Sequence, residues 1–326
     1  MKKRLRAKDI AFAAVLLILV LVMIYSGLRI VESTVFRLDQ DAQIPVSKTI
    51  TRNGVDYFPR QDITTVLVMG IDRYGPVEDS GSYLNRGAAD MDALLIFDEP
   101  NRICNVLHLN RDTMLEMPVL GPGGKKAGTY FGQLALSHTY GSGLADSCEN
   151  TRQTISDFLY GIRIDYYVAM NMDAIAILND AVGGVTVDVT EDFSQVDPTI
   201  GMGRVTLTGQ QAIHYVRTRK DVGDQLNLSR IQRQQAYMDA FSEAFSEKQG
   251  DEAFVLSVYE QVEPYIVTDC SMKTISGLLS RYSDYAIGEV VTPEGENVLG
   301  EQYFEFYVDE EKLDELILRL FYAPKG

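Results

Sequence analysis

The chain has 326 residues, of which 46% are hydrophobic and 23% charged, and a formal net charge of −16. Those fractions exclude a collagen-like, low-complexity or pure coiled-coil chain, and the acidic balance excludes general affinity for nucleic acid or anionic lipid surfaces. The charge is uneven: in residues 1–31, Lys2, Lys3, Arg4, Arg6, Lys8 and Arg29 face Asp9 alone, a net +5 that leaves −21 for the rest.

Residues 10–28 carry no charge and are mostly apolar, with Ile10–Val20 reading IAFAAVLLILV. About 20 such residues cross a bilayer core of ~30 Å as a helix, and the basic cluster before them holds residues 1–9 in the cytoplasm and sends the remainder outside. The run is longer than the apolar part of a signal peptide and no A-x-A site follows, so residues 10–30 read as an uncleaved, single-pass signal anchor. Three cysteines, Cys104, Cys148 and Cys270, are too few for a disulfide-held fold. One bridge is compatible with that count, and Cys104, inside an apolar run, reads as a buried thiol.

Residues 31–61 read as a polar stalk in which Asn53-Gly54, between KTITR and VDYFP, predicts a small hairpin. From residue 62 to 326 strands and helices alternate. Apolar runs predict strands at Thr64–Ile71, Ala93–Phe97 and Cys104–Leu109. The short link between the second and third predicts an antiparallel hairpin. If the first and second are also antiparallel neighbours, Asp72, Asp90 and Arg111 meet at one sheet edge. Helical spacing follows within Glu149–Leu159, a strand at Asp165–Asn171, and a helix over Met172–Ala181 that stops at Gly183-Gly184. Val185–Val189 reads as a strand. The capping-box patterns Thr208 to Gln211 and Ser229 to Gln232 predict helices starting at Gly209 and Arg230, the second running to about Phe245. A helix near Ser271–Tyr282, a strand at Tyr303–Val308 and a helix at Glu310–Phe321 complete one α/β domain, with no repeat and no internal linker after residue 60.

The sequence holds no GxSxG, HExxH, CxxC or P-loop, and Gly121–Lys126 (GPGGKK) reads as a surface loop. His108, His138 and His214 are scattered, and local core or helix positions explain each more simply than a shared zinc ion. Residues 201–235 carry Arg204, Arg217, Arg219, Lys220, Arg230 and Arg233 against Asp221 and Asp224, a net +4 inside an acidic domain. Arg217 and Arg219 close one helix, where the dipole favours cations; Arg230 and Arg233 open the next, where it opposes them. An anion bound there would account for that placement, with Gln234 one turn after Arg230 on the same face. A solvated basic face accounts for the composition equally well. Asp72 and Asp90, beside phosphate-binding arginines, suit Mg²⁺; taken singly, each also fits a turn or cap aspartate.

Seven separated blocks, VLVMGIDR, AADMDALLI, LNRDT, IDYYVAMNM, DAVGGVTVDV, LTGQQAIHYVRTR and SRIQRQQ, occur in the order and spacing of the LytR-CpsA-Psr family, which the chain resembles from about residue 60 to 250. The resemblance implies a central mixed β-sheet flanked by helices on both faces (α-β-α), with a long apolar pocket for a polyprenyl chain. It implies a Mg²⁺-dependent phosphotransferase on the outer face of a bacterial, Gram-positive cell membrane. Such an enzyme moves a teichoic acid or a capsular or secondary wall polysaccharide from an undecaprenyl-diphosphate carrier to peptidoglycan. Under this resemblance Asp72 and Asp90 hold the metal, while Arg111, Arg217, Arg219 and Arg230 act on the phosphates, with Arg233 and Gln234 beside them. The chain departs from the family pattern at four places. Ala88 stands where an arginine is expected, with Arg86 as the nearest replacement. Asn110 replaces a proline, Gln133-Leu134-Ala135 replaces Lys-Ile-Asn, and Asn227 replaces an aspartate, leaving Asp224 in the place of general base. Hydrolysis of the lipid diphosphate, and non-catalytic binding of lipid-linked precursors, are the rival activities.

Overall fold

The computed structural model describes residues 49–324, apart from 53, 219, 224–226, 247, 249–250, 272–273, 275–276, 279–280, 283–284 and 302. The expected cytoplasmic tail, anchor and most of the stalk lie outside these residues. Among the described residues no helix is long and apolar enough to cross a membrane. In chain order the elements are β1 (Ile50–Arg52), β2 (Val55–Pro59), β3 (Ile63–Ile71), β4 (Ala89–Asp98), β5 (Ile103–Leu109), β6 (Met114–Leu120), β7 (Lys126–Gln133), α1 (Ala145–Phe158), β8 (Tyr166–Asn171) and α2 (Met172–Ala181). There follow β9 (Val185–Val189), β10 (Gly203–Leu207), α3 (Gly209–Arg217), α4 (Asn227–Ser246), α5 (Glu252–Val262), β11 (Ile266–Thr268), β12 (Ala286–Val291), β13 (Gly295–Leu299), β14 (Phe304–Val308), α6 (Glu310–Phe321) and β15 (Tyr322–Pro324).

Six strands form the central sheet in the order β11-β8-β3-β4-β5-β12. β3 is antiparallel to β4, β4 to β5 and β8 to β11, while β3–β8 and β5–β12 are parallel, so the sheet is mixed. Both antiparallel pairings expected of the first three core strands are present. Strand residues alternate between faces, and each face has its own core. Val66, Val68, Leu95 and Val168 pack with Leu178 of α2 and Phe241 of α4. On the other face Leu67, Met69, Leu94 and Ile96 pack with Ile155 of α1 and Ile317 of α6. Helices therefore cover both faces, as expected.

Several boundaries differ from the sequence reading. α4 begins at Asn227, three residues before the expected start, which moves Arg230 to the end of the first turn. The GPGGKK loop is the turn of a β6–β7 hairpin, and β10 to β13 were not anticipated. Half of the expected helix near 271–282 lies outside the described residues; 274, 277, 278, 281 and 282 are helical. The hairpin read within the stalk is tied to the chain's end: β2 pairs with β15, and Arg52 donates to both oxygens of Asp314 at 2.6 Å. The Gly183-Gly184 stop is structural. Gly184 has φ +93°, and a Cβ there would meet the Leu207 carbonyl oxygen at 2.9 Å. Cys104, Cys148 and Cys270 are all free thiols.

At the far end of the sheet Arg60 donates to Asp98 at 2.7 Å, and Asn101 adds two further bonds. The Arg60 hydrogen bond is the chief cause that holds the Asp98 carboxyl down at about 2, against an ordinary 3.8. A depressed carboxylate stabilises the fold above its unfolded value and loses that contribution as pH falls through its folded value. Asp98→Asn is therefore expected to cost about 2 kcal/mol at pH 7, with the gap to the parent protein closing between pH 4 and 2. Urea midpoints measured across that range check it; a gap that is constant with pH contradicts it.

Candidate active site

The end of β3, the start of β4 and the end of β5 share one edge of the sheet. Asp72 follows β3, and its N–H donates to the Ala88 carbonyl at 2.8 Å. The β8–α2 junction braces the loop beyond it. Met172 N–H donates to the Arg73 carbonyl, Asp173 accepts from the Gly75 N–H, and the Asn171 amide donates to the Gly75 carbonyl. Past β5, the Asn110 side-chain oxygen accepts from the Asp112 N–H at 3.0 Å, a turn that presents Arg111. Asp90 arrives by a bulge. Gly70 faces Met91 and Ile71 faces Ala89, so Asp90 is an extra residue in β4. Regular alternation would put it on the face of Leu94; the bulge turns it to the opposite face, where it lines a cavity together with Met91.

Three arginines from three elements close on two carboxylates. Arg217, at the end of α3, meets Asp72 through Nε at 2.9 Å and Nη2 at 3.1 Å. Arg111 Nε lies 3.0 Å from Asp90 Oδ1. Arg230 donates from Nη1 to Asp90 Oδ2 at 3.3 Å and from Nη2 to the Asp90 carbonyl at 2.9 Å. The Arg217 side chain is 41% exposed and that of Arg230 only 3%. The hydrogen bond that Arg217 donates to Asp72 raises its guanidinium above the ordinary value.

Two titratable groups at this edge escaped the sequence reading. Asp92 is fully buried, and neither carboxylate oxygen has a hydrogen-bond partner. Burial, and then the neighbouring Asp90, push its carboxyl well above the usual range. His108, expected to be a local core residue, lines the cavity; burial, and then Arg230, lower its imidazole to about 4, which keeps it neutral. The signals were an aspartate inside an apolar strand (ADMDALLIF) and a histidine in register with the pocket-facing positions of CNVLHL.

Among the described residues, buried side-chain atoms with no hydrogen-bond partner include both Asp92 oxygens, His108 Nδ1 and Gln234 Oε1, while Asp90 Oδ1 and Arg111 Nε meet each other as an ion pair outside hydrogen-bond geometry; all of these lie at this edge or in the cavity behind it. Native proteins satisfy nearly all buried polar groups, so a single cluster of exceptions marks a place where a ligand can supply partners. The cavity is about 360 Å³ and lies between the sheet and α4. Asp90, Arg217 and Arg230 stand at its charged end, and Leu95, Met170 and Phe241 give it apolar walls. An anionic head on a hydrocarbon chain matches both parts.

The LytR_cpsA_psr family model matches residues 32–320. The chain belongs to the LytR-CpsA-Psr family. Among curated relatives, the Bacillus licheniformis protein named polyisoprenyl-teichoic acid–peptidoglycan teichoic acid transferase TagU is 26% identical over 225 residues, covering 68% of this chain. The alignment spans 65% of that relative's length, just under two thirds. The Oceanobacillus iheyensis protein of the same name is 26% identical over 313 residues, covering 92% of this chain and 90% of its own. A solved structure of TagT bound to LIIa-WTA is 24% identical with a TM-score of 0.58, covering 80% of this chain and 90% of that one, and shares the fold.

Of the residues marked by the LytR-CpsA-Psr pattern, Asp72, Asp90, Arg111, Arg217, Arg230 and Gln234 come together at the edge and the cavity behind it. Arg219 and Asp224 lie outside the described residues, and Arg86 is exposed on the loop before Asp90. Arg233 is the exception. It donates to the Tyr215 carbonyl at 3.0 Å, to the Thr218 carbonyl and to the Glu191 carboxylate, and it lies over the Phe193 ring. Each guanidinium nitrogen is engaged by protein, so the expected substrate contact is corrected to a latch between α4, the end of α3 and the β9–β10 loop. At the departures from the family pattern, Asn110 makes the turn under Arg111, and the Gln133 amide donates to Asp112 and to the Phe304 carbonyl. The histidines stand apart: His138 bonds the Gly87 carbonyl at 2.7 Å and His214 pairs with Asp197 at 2.9 Å.

The two arginines separate site from scaffold. Arg217→Ala removes an exposed ion pair and is expected to cost at most about 1 kcal/mol of stability. Arg233→Ala strands Glu191 and two carbonyls and is expected to cost about 3–5 kcal/mol. Urea unfolding of both variants checks this, and equal midpoints contradict the division.

Proposed function

We propose that this chain is a phosphotransferase that moves a glycopolymer from a polyprenyl-diphosphate carrier, such as undecaprenyl diphosphate, to peptidoglycan outside a bacterial cell. The observation that carries the reading is the convergence of three arginines and a set of unsatisfied polar atoms on the mouth of an apolar cavity. A diphosphate on a long hydrocarbon has the chemistry of both. The names of the TagU relatives and of the TagT complex, which describe those proteins, support the class of donor and acceptor. A signal anchor at residues 10–30 would keep the domain within reach of a lipid carrier.

In this reading the hydrocarbon enters the cavity and the diphosphate rests among Arg111, Arg217 and Arg230. The Asp72–Arg217 pair is 29% and 41% exposed, so a phosphate displaces Asp72 from Arg217 at little cost. A peptidoglycan hydroxyl oxygen attacks the phosphorus that bears the glycan. A new P–O bond forms as the bond to the bridging oxygen breaks, and its electron pair stays on the departing lipid phosphate. The hydroxyl proton passes to a base or to water; Asp224 is the sequence candidate for the base and Arg219 for a further phosphate contact. The arginines neutralise the charge that gathers on the equatorial and leaving oxygens.

Mg²⁺ takes one or two carboxylates together with phosphate oxygens and water. Asp72 and Asp90 share one edge, two carboxylates beside the phosphate-facing arginines, which fits that donor set; no cluster of three or more His, Cys, Asp or Glu suited to a metal occurs among the described residues. Asp72 and Asp90 would hold the ion, and when bound it supplies neutralisation of the diphosphate oxygens.

The purified chain, given a lipid-linked donor with a radiolabelled glycan and peptidoglycan sacculi, is expected to move label into the insoluble fraction. Chelation with EDTA should stop transfer, and Arg111→Ala or Arg217→Ala should each lower it by about 10²–10³. Undiminished transfer by both variants overturns the site. Lipid phosphate released equally fast without sacculi assigns hydrolysis instead.

A further inference from the structure

His108 and Gln234 form a polar layer between the charged mouth and the apolar depth of the cavity. In the sheet ladder His108 pairs with Ala93, three positions inward from Asp90 on the neighbouring strand, or about 10 Å at strand spacing. Gln234 stands about one turn beyond Arg230 on α4, and the two side chains lie close enough for Gln234 to influence the imidazole. Leu95, Val106 and Phe241 line the apolar part of the cavity. His108 is half-buried, consistent with an imidazole that borders the cavity.

Gln234 and the imidazole face each other as weak hydrogen-bond partners, and neither is held by a close bond at the atoms turned to the cavity. Gln234 uses one N–H on the Val216 carbonyl at 3.0 Å, while its Oε1 has no close partner. His108 Nδ1 has none either. A polar group in an apolar cavity destabilises the fold when it is left unsatisfied. A cavity meant for hydrocarbon alone would be better lined here by leucine and methionine, as its walls are elsewhere. Gln234 caps the C-terminal turn of α3 through that Val216 bond, but His108 caps no helix and closes no turn, so local structure does not explain the imidazole.

We propose that His108, with Gln234 beside it, is a specificity-determining residue: a neutral hydrogen-bonding layer that engages the phosphate joined to the hydrocarbon, so that the cavity selects prenyl phosphates over chains with an uncharged head. The inference rests on the lipid-diphosphate reading above and deepens it. Neutrality is the useful property. A second buried cation beside Arg230 would carry a large desolvation cost, whereas a neutral N–H can meet a phosphate oxygen without one. Charge grows on that lipid-side phosphate as the bridging bond breaks, so a donor fixed there counts for more in the transition state than in the bound substrate. A charged acceptor also gives a stronger bond than a hydroxyl does.

The test compares geranylgeranyl phosphate with geranylgeraniol, each radiolabelled, by equilibrium dialysis against the full chain in detergent. His108→Leu is expected to weaken the phosphate about tenfold and the alcohol by no more than about twofold, and His108→Gln, which keeps an N–H, to recover most of the loss. In the transfer assay His108→Leu should lower kcat more than it raises KM. Unchanged phosphate binding by His108→Leu overturns the role of His108 and leaves the donor reading standing. Equal loss of both ligands overturns it too, since that is what a collapsed cavity gives. Failure of the parent protein to bind either ligand overturns the donor reading itself, and this inference with it.

Discussion

Asp90 sits where β4 gains one residue over β3, and that insertion decides which face of the sheet its carboxylate joins. Without it the alternation of the strand would carry Asp90 to the side of Leu94 and Ile96, under α1 and α6. Arg111 and Arg230 would then face the mouth of the cavity with no anion between them. Two guanidinium groups brought that close repel each other strongly in a site of low dielectric. The bulge thus does for the folded protein what a ligand can do later: it supplies a negative charge between cations from β5 and α4. The edge can be assembled first and loaded afterwards.

The ion pairs around it are not equivalent. Arg230 is buried and holds both a carboxylate oxygen and the carbonyl of Asp90, so separating them strands charge in the interior. Arg217 and Asp72 are partly in water, and their pair is worth little. The site therefore has a fixed half and a releasable half, and the releasable half is the outer one, nearest an incoming anion. Arg233, one turn from Arg230, shows the alternative fate of an arginine on the same helix: with its nitrogens engaged by α3 and Glu191, it positions α4 instead of offering a donor.

Much of this edge was legible in the sequence because it follows from pairing. Two apolar strands joined by Asp98–Arg102 have little choice but an antiparallel hairpin, and the ends of three such strands then bring Asp72, Asp90 and Arg111 together. The bulge was not legible, since one inserted residue leaves the apolar run AADMDALLI unbroken. Nor was the start of α4: the Ser229 to Gln232 pattern mimics a cap inside a helix that begins at Asn227. That shift moves Arg230 away from the helix N-terminus, and in the structure its guanidinium pairs with Asp90. The hairpin β6–β7 was missed for a different reason. Most of β7 is exposed, so burial imposes no period on its residues. The block IDYYVAMNM was visible as a motif, but its work as a brace depends on contacts across about a hundred residues that no local spacing reveals.

The two faces of the sheet treat buried polar groups differently, and the difference locates function better than burial does. Under α1, Asn85 donates to the His138 and Gly141 carbonyls, Asn150 to the Pro118 and Ser137 carbonyls, Ser137 to Thr151, and His138 meets Gly87. That network closes on itself, as folding stability demands. On the cavity side His108 and Gln234 keep atoms with nothing to bond, and at the shared edge so does Asp92. Stability alone gives no reason to retain such groups, because an apolar side chain of similar volume would remove the cost. A fold that closes the network under α1 has the means to close it elsewhere; Asp92, on the same face as Leu94, is left open only where that face reaches the shared edge. The open donor of His108 is therefore best understood as the protein's half of a contact that a phosphate oxygen completes, and the open oxygens of Asp92 and Gln234 as places for a proton, a hydroxyl or a cation carried with that ligand.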